Sequence, residues 1–188
     1  ASGSENASVT VSFTANDSQE ERTANIKVTC EDASFEATVT IMQKGKAAEG
    51  SVTLTKTMAD MWKAIGVSQS GEQHATLNLD DVATLSVNAD GNNGKLYGSA
   101  DSANWRLYQT NSAVITLSVT DGYELVSVIF KYTVTNTGIL LDGDKNAVNS
   151  GDEISLSGSS ASWSVGNSGS ANNGQVRITE VTVTYKTK

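Results

Sequence analysis

Val126-Ser127-Val128-Ile129-Phe130-Lys131-Tyr132-Thr133-Val134 decides the fold class. Val126, Val128, Phe130, Tyr132 and Val134 stand at every second position, and period-two patterning sends successive side chains to opposite faces of an extended chain. The stretch predicts a long strand over 123–135 with that face in a core. Outward from it the pattern recurs. Ala113, Ile115, Leu117 and Val119 alternate with Thr116, Ser118 and Thr120, and Val9, Val11 and Phe13 alternate with Thr10, Ser12 and Thr14. Valine and threonine suit a pleated surface. Further strands are predicted at 75–79, 82–88, 94–98, 104–109, 138–141, 153–157, 161–165 and 175–186. Such spacing suggests an antiparallel β-sandwich of jelly-roll type, and the chain reads as all-β.

The last strand changes phase. Val176 and Ile178 share one parity, and Val181, Val183 and Tyr185 take the other. One extra residue near Thr179–Glu180 would restore a single buried face, so a β-bulge is expected there. Residues 57–66 are the one helical candidate. Thr57 can cap, Asp60 follows three residues later, Met58, Met61, Trp62 and Ile65 recur at helical spacing, and Gly66 ends the run. Trp62 is expected to dock this helix on the sheet.

Towards the N-terminus, strands are expected at 8–14, 23–30 and 35–42. They form a short three-stranded meander, with Ala24, Ile26, Val28, Cys30, Phe35, Ala37, Val39 and Ile41 on its inward face. Glu31–Ser34 is its polar turn. Gln43–Ser51 loses the alternation and reads as a linker. The expected organisation is a meander over 1–47 and a sandwich over 51–188.

Composition restricts function. Apolar residues make up 38 % and charged residues 18 % of the 188-residue chain, so Ser, Thr, Asn and Gly carry the surface, as in many secreted β-proteins. The formal charge of −8 repels a phosphate backbone, and no Lys/Arg cluster in the sequence offsets it, so nucleic acid is not expected as a partner. No apolar run is long enough for a membrane-spanning helix. The single cysteine, Cys30, falls on the inward phase of its strand and reads as a buried thiol. Nothing in the sequence ties it to the single histidine, His74, as a nucleophile would need. Ala1–Asn6 reads as the cut end of a mature protein. The expected location is extracellular or on the cell surface, with or without a lipid anchor carried by a removed N-terminal segment.

The stretch Thr10–Gln43 contains Ala15-Asn16-Asp17, Glu21-Arg22-Thr23-Ala24, Ile26-Lys27-Val28-Thr29 and a closing Val39-Thr40-Ile41-Met42-Gln43-Lys44-Gly45. It resembles the C-terminal half of a BACON domain, in which an Asn-rich loop and an Arg-Thr-Ala step precede strands ending in Gln-x-Gly. Three stretches of the sandwich region are Trp105–Tyr108, Ala113–Ser118 and Val176–Tyr185. They resemble β-sandwiches in surface lipoproteins of Bacteroidetes labelled as adhesion proteins. The resemblance implies a surface or secreted protein that binds carbohydrate or acts as a spacer. It brings no catalytic residue with it.

Three constellations bear on a site. In strand 104–109, Leu107 should face inward and take Trp105 with it, leaving Arg106 and Tyr108 outward. With Tyr97 nearby, these residues form the candidate carbohydrate-binding site. Aromatic rings stack on sugar C–H faces while Arg and amide groups bind hydroxyls. Asp101, Asn104, Gln109 and Asn111 lie close in sequence. Asp142-Gly143-Asp144-Lys145-Asn146-Ala147 with Glu153 matches part of a calcium loop. Ala147 stands where the turn wants glycine and the flanks read as strands, so a polar hairpin loop is the preferred reading and no metal is assigned. Asp80–Asp81 and Asp152–Glu153 are adjacent acids that would point to opposite faces of a strand, which argues against a hydrolytic pair. The expected function is non-catalytic and cofactor-free: binding of polysaccharide or host glycan, or adhesion. The alternatives are a ligand-free structural spacer and a fragment of a secreted glycan hydrolase.

Overall fold

The structure is a computed structural model describing residues 10–16, 18, 20–30, 35–43 and 50–188. The chain divides into two compact units, Ala1–Glu49 and Gly50–Lys188.

In the first unit, β1 (Arg22–Cys30) pairs antiparallel with β2 (Phe35–Gln43). Of the expected three-stranded meander, the described residues form a two-stranded ribbon, and the described residues 10–16 carry no strand. Its expected inward face is largely open: Ala24, Val28 and Val39 are exposed, while Ile26, Ala37 and Ile41 are half-buried. A two-stranded ribbon cannot cover its own apolar face. Residues 8–9, the turn 31–34, the segment 44–49 and the side chains of Cys30 and Phe35 lie outside what is described.

The second unit is an antiparallel sandwich. Its strands are β3 (Ser51–Thr57), β4 (Glu72–Gln73), β5 (Thr76–Asn78), β6 (Ala83–Val87), β7 (Lys95–Gly98) and β8 (Ala103–Tyr108), then β9 (Val114–Val119), β10 (Tyr123–Thr135) and β11 (Gly138–Leu141). They are followed by β12 (Ala147–Val148), β13 (Glu153–Ser155), β14 (Ser160–Asn167) and β15 (Gln175–Thr187). One sheet runs β13-β10-β15-β8-β7-β4, with β3 also on β15, and the other runs β12-β11-β14-β9-β6-β5. The core between them includes Trp105, Leu107, Phe130, Ile178 and Val183 from the first sheet and Leu85, Ile115, Leu117 and Trp163 from the second. Phe130 meets Trp163 edge-on across the layers, with ring centroids 4.9 Å apart.

The bulge lies where expected. Lys131 pairs with Glu180 and Tyr132 with Ile178, so Thr179 is the extra residue. It marks a change of partner: β15 pairs with β8 through Gln175–Ile178 and with β3 through Glu180–Lys186. A second irregularity at Val126 corrects the expected phase of β10. Leu125 is buried in place of Val126, and Val134, near the C-terminal end of the strand, is 48 % exposed.

The helix α1 (Met58–Ala64) is capped by Thr57, whose hydroxyl accepts the Asp60 amide, while the Asp60 carboxylate accepts the Thr57 amide. Met58, Met61 and Trp62 are buried in the core. The region expected as linker gives way to strand β3 at Ser51. Ser51-Val52-Thr53-Leu54-Thr55 does alternate, but only Val52 and Leu54 carry the pattern and neither is fully buried. Thr–Thr hydroxyl contacts across to β15, Thr53–Thr184 at 3.0 Å and Thr55–Thr182 at 2.9 Å, help to fasten it.

Candidate functional site

β8 sets the geometry of the candidate face. Ala103, Trp105 and Leu107 are buried, and Asn104, Arg106 and Tyr108 are half-buried on the outward side. The Trp105 indole N–H donates to the carbonyls of His74 and Gly94, both at 2.9 Å, which ties the inward phase of the strand to two neighbouring backbone groups. The Tyr108 amide donates to the side-chain oxygen of fully buried Asn93, whose amide group donates in turn to the carbonyl of Asn111 at 2.8 Å. Buried amides satisfied in this way rigidify the backbone that carries the outward side chains.

Tyr97, Arg106 and Tyr108 therefore lie on one outward face of β7 and β8. Tyr97 and Arg106 touch: the guanidinium carbon lies 3.6 Å from the Tyr97 ring centroid, a cation–π contact. The Nε of Arg106 donates to the Asn104 side-chain oxygen at 3.0 Å, and the Asn104 amide donates to the Tyr97 carbonyl at 3.3 Å. One face of Tyr97 is thus occupied. The ring serves as a seat for the guanidinium, and Tyr108 is the half-exposed ring beside it. Trp105 belongs to the core. The Gln109 side chain accepts the Gly174 amide, and the Asn111 side chain accepts the Asn92 amide, so these two hold loops.

Two residues escaped the sequence reading. Lys95 on β7 and Arg177 on β15 stand directly opposite Arg106 on either side of β8. The parity of Val176 and Ile178 already turned Arg177 outward. Its neighbour across the sheet depends on a pairing between strands about seventy residues apart, which no local pattern reveals.

The Asp142–Asn146 segment closes the hairpin between β11 and β12. Asp142 Oδ1 accepts the amides of Asp144 at 2.9 Å and Asn146 at 2.8 Å, and these hydrogen bonds, led by that of Asn146, hold its carboxyl below the usual range. Glu153, at the calcium-loop position twelve, accepts the Ser127 hydroxyl at 2.9 Å. Among the described residues no group of three or more His, Cys, Asp or Glu is placed to hold a metal ion.

The first unit has a concavity of its own, about 330 Å³, lined by Val11, Phe13, Ala24, Ile26 and Ile41 with Arg22 at its wall. Arg22 bridges segment and ribbon, donating through Nη2 to the Thr14 carbonyl at 2.5 Å and through Nε to the Gln43 side chain at 2.8 Å.

Residues 1–44 match the BACON family model, described as "Putative binding domain, N-terminal". No curated protein and no solved structure matches the chain.

Proposed function

We propose that the chain is a non-catalytic carbohydrate-binding protein of a bacterial surface, and that the outward face of β7 and β8 makes the contact. One observation carries the reading. Arg106 is immobilised over Tyr97 beside the half-exposed Tyr108. A pre-oriented donor next to an aromatic ring suits a sugar, because the ordering cost of the side chain is met before the ligand arrives. The match of residues 1–44 to a binding-domain family supports a binding role in general terms.

The test is a pair of substitutions assayed on immobilised mucin and plant polysaccharides. Tyr108→Ala should weaken retention about tenfold with little change in melting temperature, because a half-exposed side chain contributes little to the core. Trp105→Ala should cost ~3–5 kcal/mol of stability through a core cavity. A wild-type chain that binds no glycan leaves the spacer reading in possession. Equal destabilisation by both substitutions refutes the assignment of the outward face.

A further inference from the structure

On the outward face of the larger sheet, charges are arranged in two contrasting ways. Where β10 meets β15, opposite charges face each other across the strands: Lys131 pairs with Glu180 at 2.7 Å and Lys186 with Glu124 at 2.9 Å. Where β7, β8 and β15 meet, like charges face each other. Lys95 stands opposite Arg106, and Arg106 stands opposite Arg177. Like charges at directly opposed positions destabilise a sheet. Among the described residues none of these three cations forms an ion pair, in a chain whose net charge is −8.

The two arginines are also held in the same way. Arg106 Nε donates to Asn104, two residues earlier on its strand, at 3.0 Å. Arg177 Nε donates to Gln175, two residues earlier on its strand, at 2.5 Å, and Gln175 is itself buried. In each case the side-chain amide anchors the root of the guanidinium. Among the described residues the terminal Nη groups donate to nothing. What remains is a pair of fixed, end-on forks, the geometry that matches a planar carboxylate through two parallel hydrogen bonds. Neighbouring strands lie about 4.8 Å apart, so the cations are rooted at intervals close to the length of one pyranose unit. A polysaccharide crossing the strands would bring its carboxylates within reach of these cations, with Tyr108 available to a ring.

We propose that Lys95, Arg106 and Arg177 form a binding row for the carboxylates of a uronic-acid polysaccharide. The inference rests on the carbohydrate-binding reading above and narrows its ligand to an acidic polymer. Unpaired cations on a chain of net charge −8 would also favour the approach of such a polymer at this face.

The experiment compares polygalacturonate with its methyl-esterified form, which keeps the backbone and loses the charge, using affinity electrophoresis of the full chain with melting curves in parallel. The charged polymer should bind at least about tenfold more tightly, and its binding should weaken with added salt. Arg177→Gln should weaken it about tenfold, the loss of a charge-assisted hydrogen-bonded pair, without lowering the melting temperature. Arg177→Lys should fall between the two. Equal binding of both polymers, or an Arg177→Gln chain that binds like wild type while Tyr108→Ala still fails, overturns the carboxylate row and leaves the glycan reading standing. Preference for a sulfated polymer over the carboxylated one likewise overturns it. Failure to bind either form or any neutral polysaccharide removes both readings together.

Discussion

The contact between Tyr185 and Asp80 shows what one buried residue does here. The Tyr185 hydroxyl donates to Asp80 Oδ2 at 2.6 Å, and Asp80 Oδ1 accepts the amides of Val82 at 2.9 Å and Ala83 at 2.6 Å. The pair fastens the β5–β6 turn of one sheet to β15 of the other. Burial pushes the Tyr185 hydroxyl up to about 12, aided by the hydrogen bond to Asp80. For Asp80, burial works upward, but the Tyr185 hydroxyl and the two amides outweigh it and hold the carboxyl below the usual range. Tyr185→Phe should therefore cost about 1–3 kcal/mol near neutral pH, by leaving a partly buried carboxylate oxygen short of a donor. The signs at the two ends of the pH scale differ. A raised tyrosine stabilises below its unfolded value of about 10 and loses that stabilisation as pH climbs towards 12. A depressed carboxyl stabilises above about 4 and loses that stabilisation as pH falls below it. The stability gap between wild type and Tyr185→Phe, measured by denaturant melts across pH, should be widest between these limits. A gap that stays constant into strong acid and strong alkali would show that the hydrogen bond contributes nothing. The inward phase of Tyr185 was legible from alternation. Its partner, 105 residues away, was not.

Among the elements, the strands with strong apolar contrast were the readable ones. β10 spans Tyr123–Thr135, as its alternation predicts, and the bulge of β15 follows from the parity change between Ile178 and Val181. The helix followed from its capping box and apolar spacing. β3, β4 and β12 went unread because they are short or lie at an edge with half-exposed residues, so burial never imposes a clean pattern on them. The phase of β10 departs from simple alternation. Period two assumes an unbroken ladder, and the irregularity at Val126 shifts the buried set by one residue. The middle and the C-terminal end of that strand should also respond very differently to truncation. Phe130 is fully buried against Trp163, and Phe130→Ala should cost ~3–5 kcal/mol. Val134 is 48 % exposed, and Val134→Ala should stay within about 0.5 kcal/mol of wild type. Comparable losses at both positions in urea denaturation would mean that Val134 is covered after all.

At the scale of the molecule, the described burial is concentrated in one unit. Among the described residues, every member of the buried hydrophobic core falls between Met58 and Tyr185, inside the unit Gly50–Lys188. The described residues of the first unit include no buried side chain, and Val11, Phe13, Val28, Val39 and Met42 are all more than 40 % exposed. The candidate site follows the same division. Strand parity gave Arg106 and Tyr108 their direction. The cation row needed the sheet order β15-β8-β7, a property of the whole sandwich that no single segment encodes. The chain 50–188 on its own should therefore fold, melt cooperatively within a few degrees of the full chain, and retain whatever polysaccharide binding the full chain shows. The chain 1–49 alone should show no cooperative transition, because a ribbon of two strands buries too little apolar surface to offset its conformational entropy. Calorimetry on the two fragments decides between this and the opposite dependence. If 50–188 unfolds on its own, the assignment of the stable core to that unit fails. If 50–188 folds but loses binding, the β7–β8–β15 face alone is not the site.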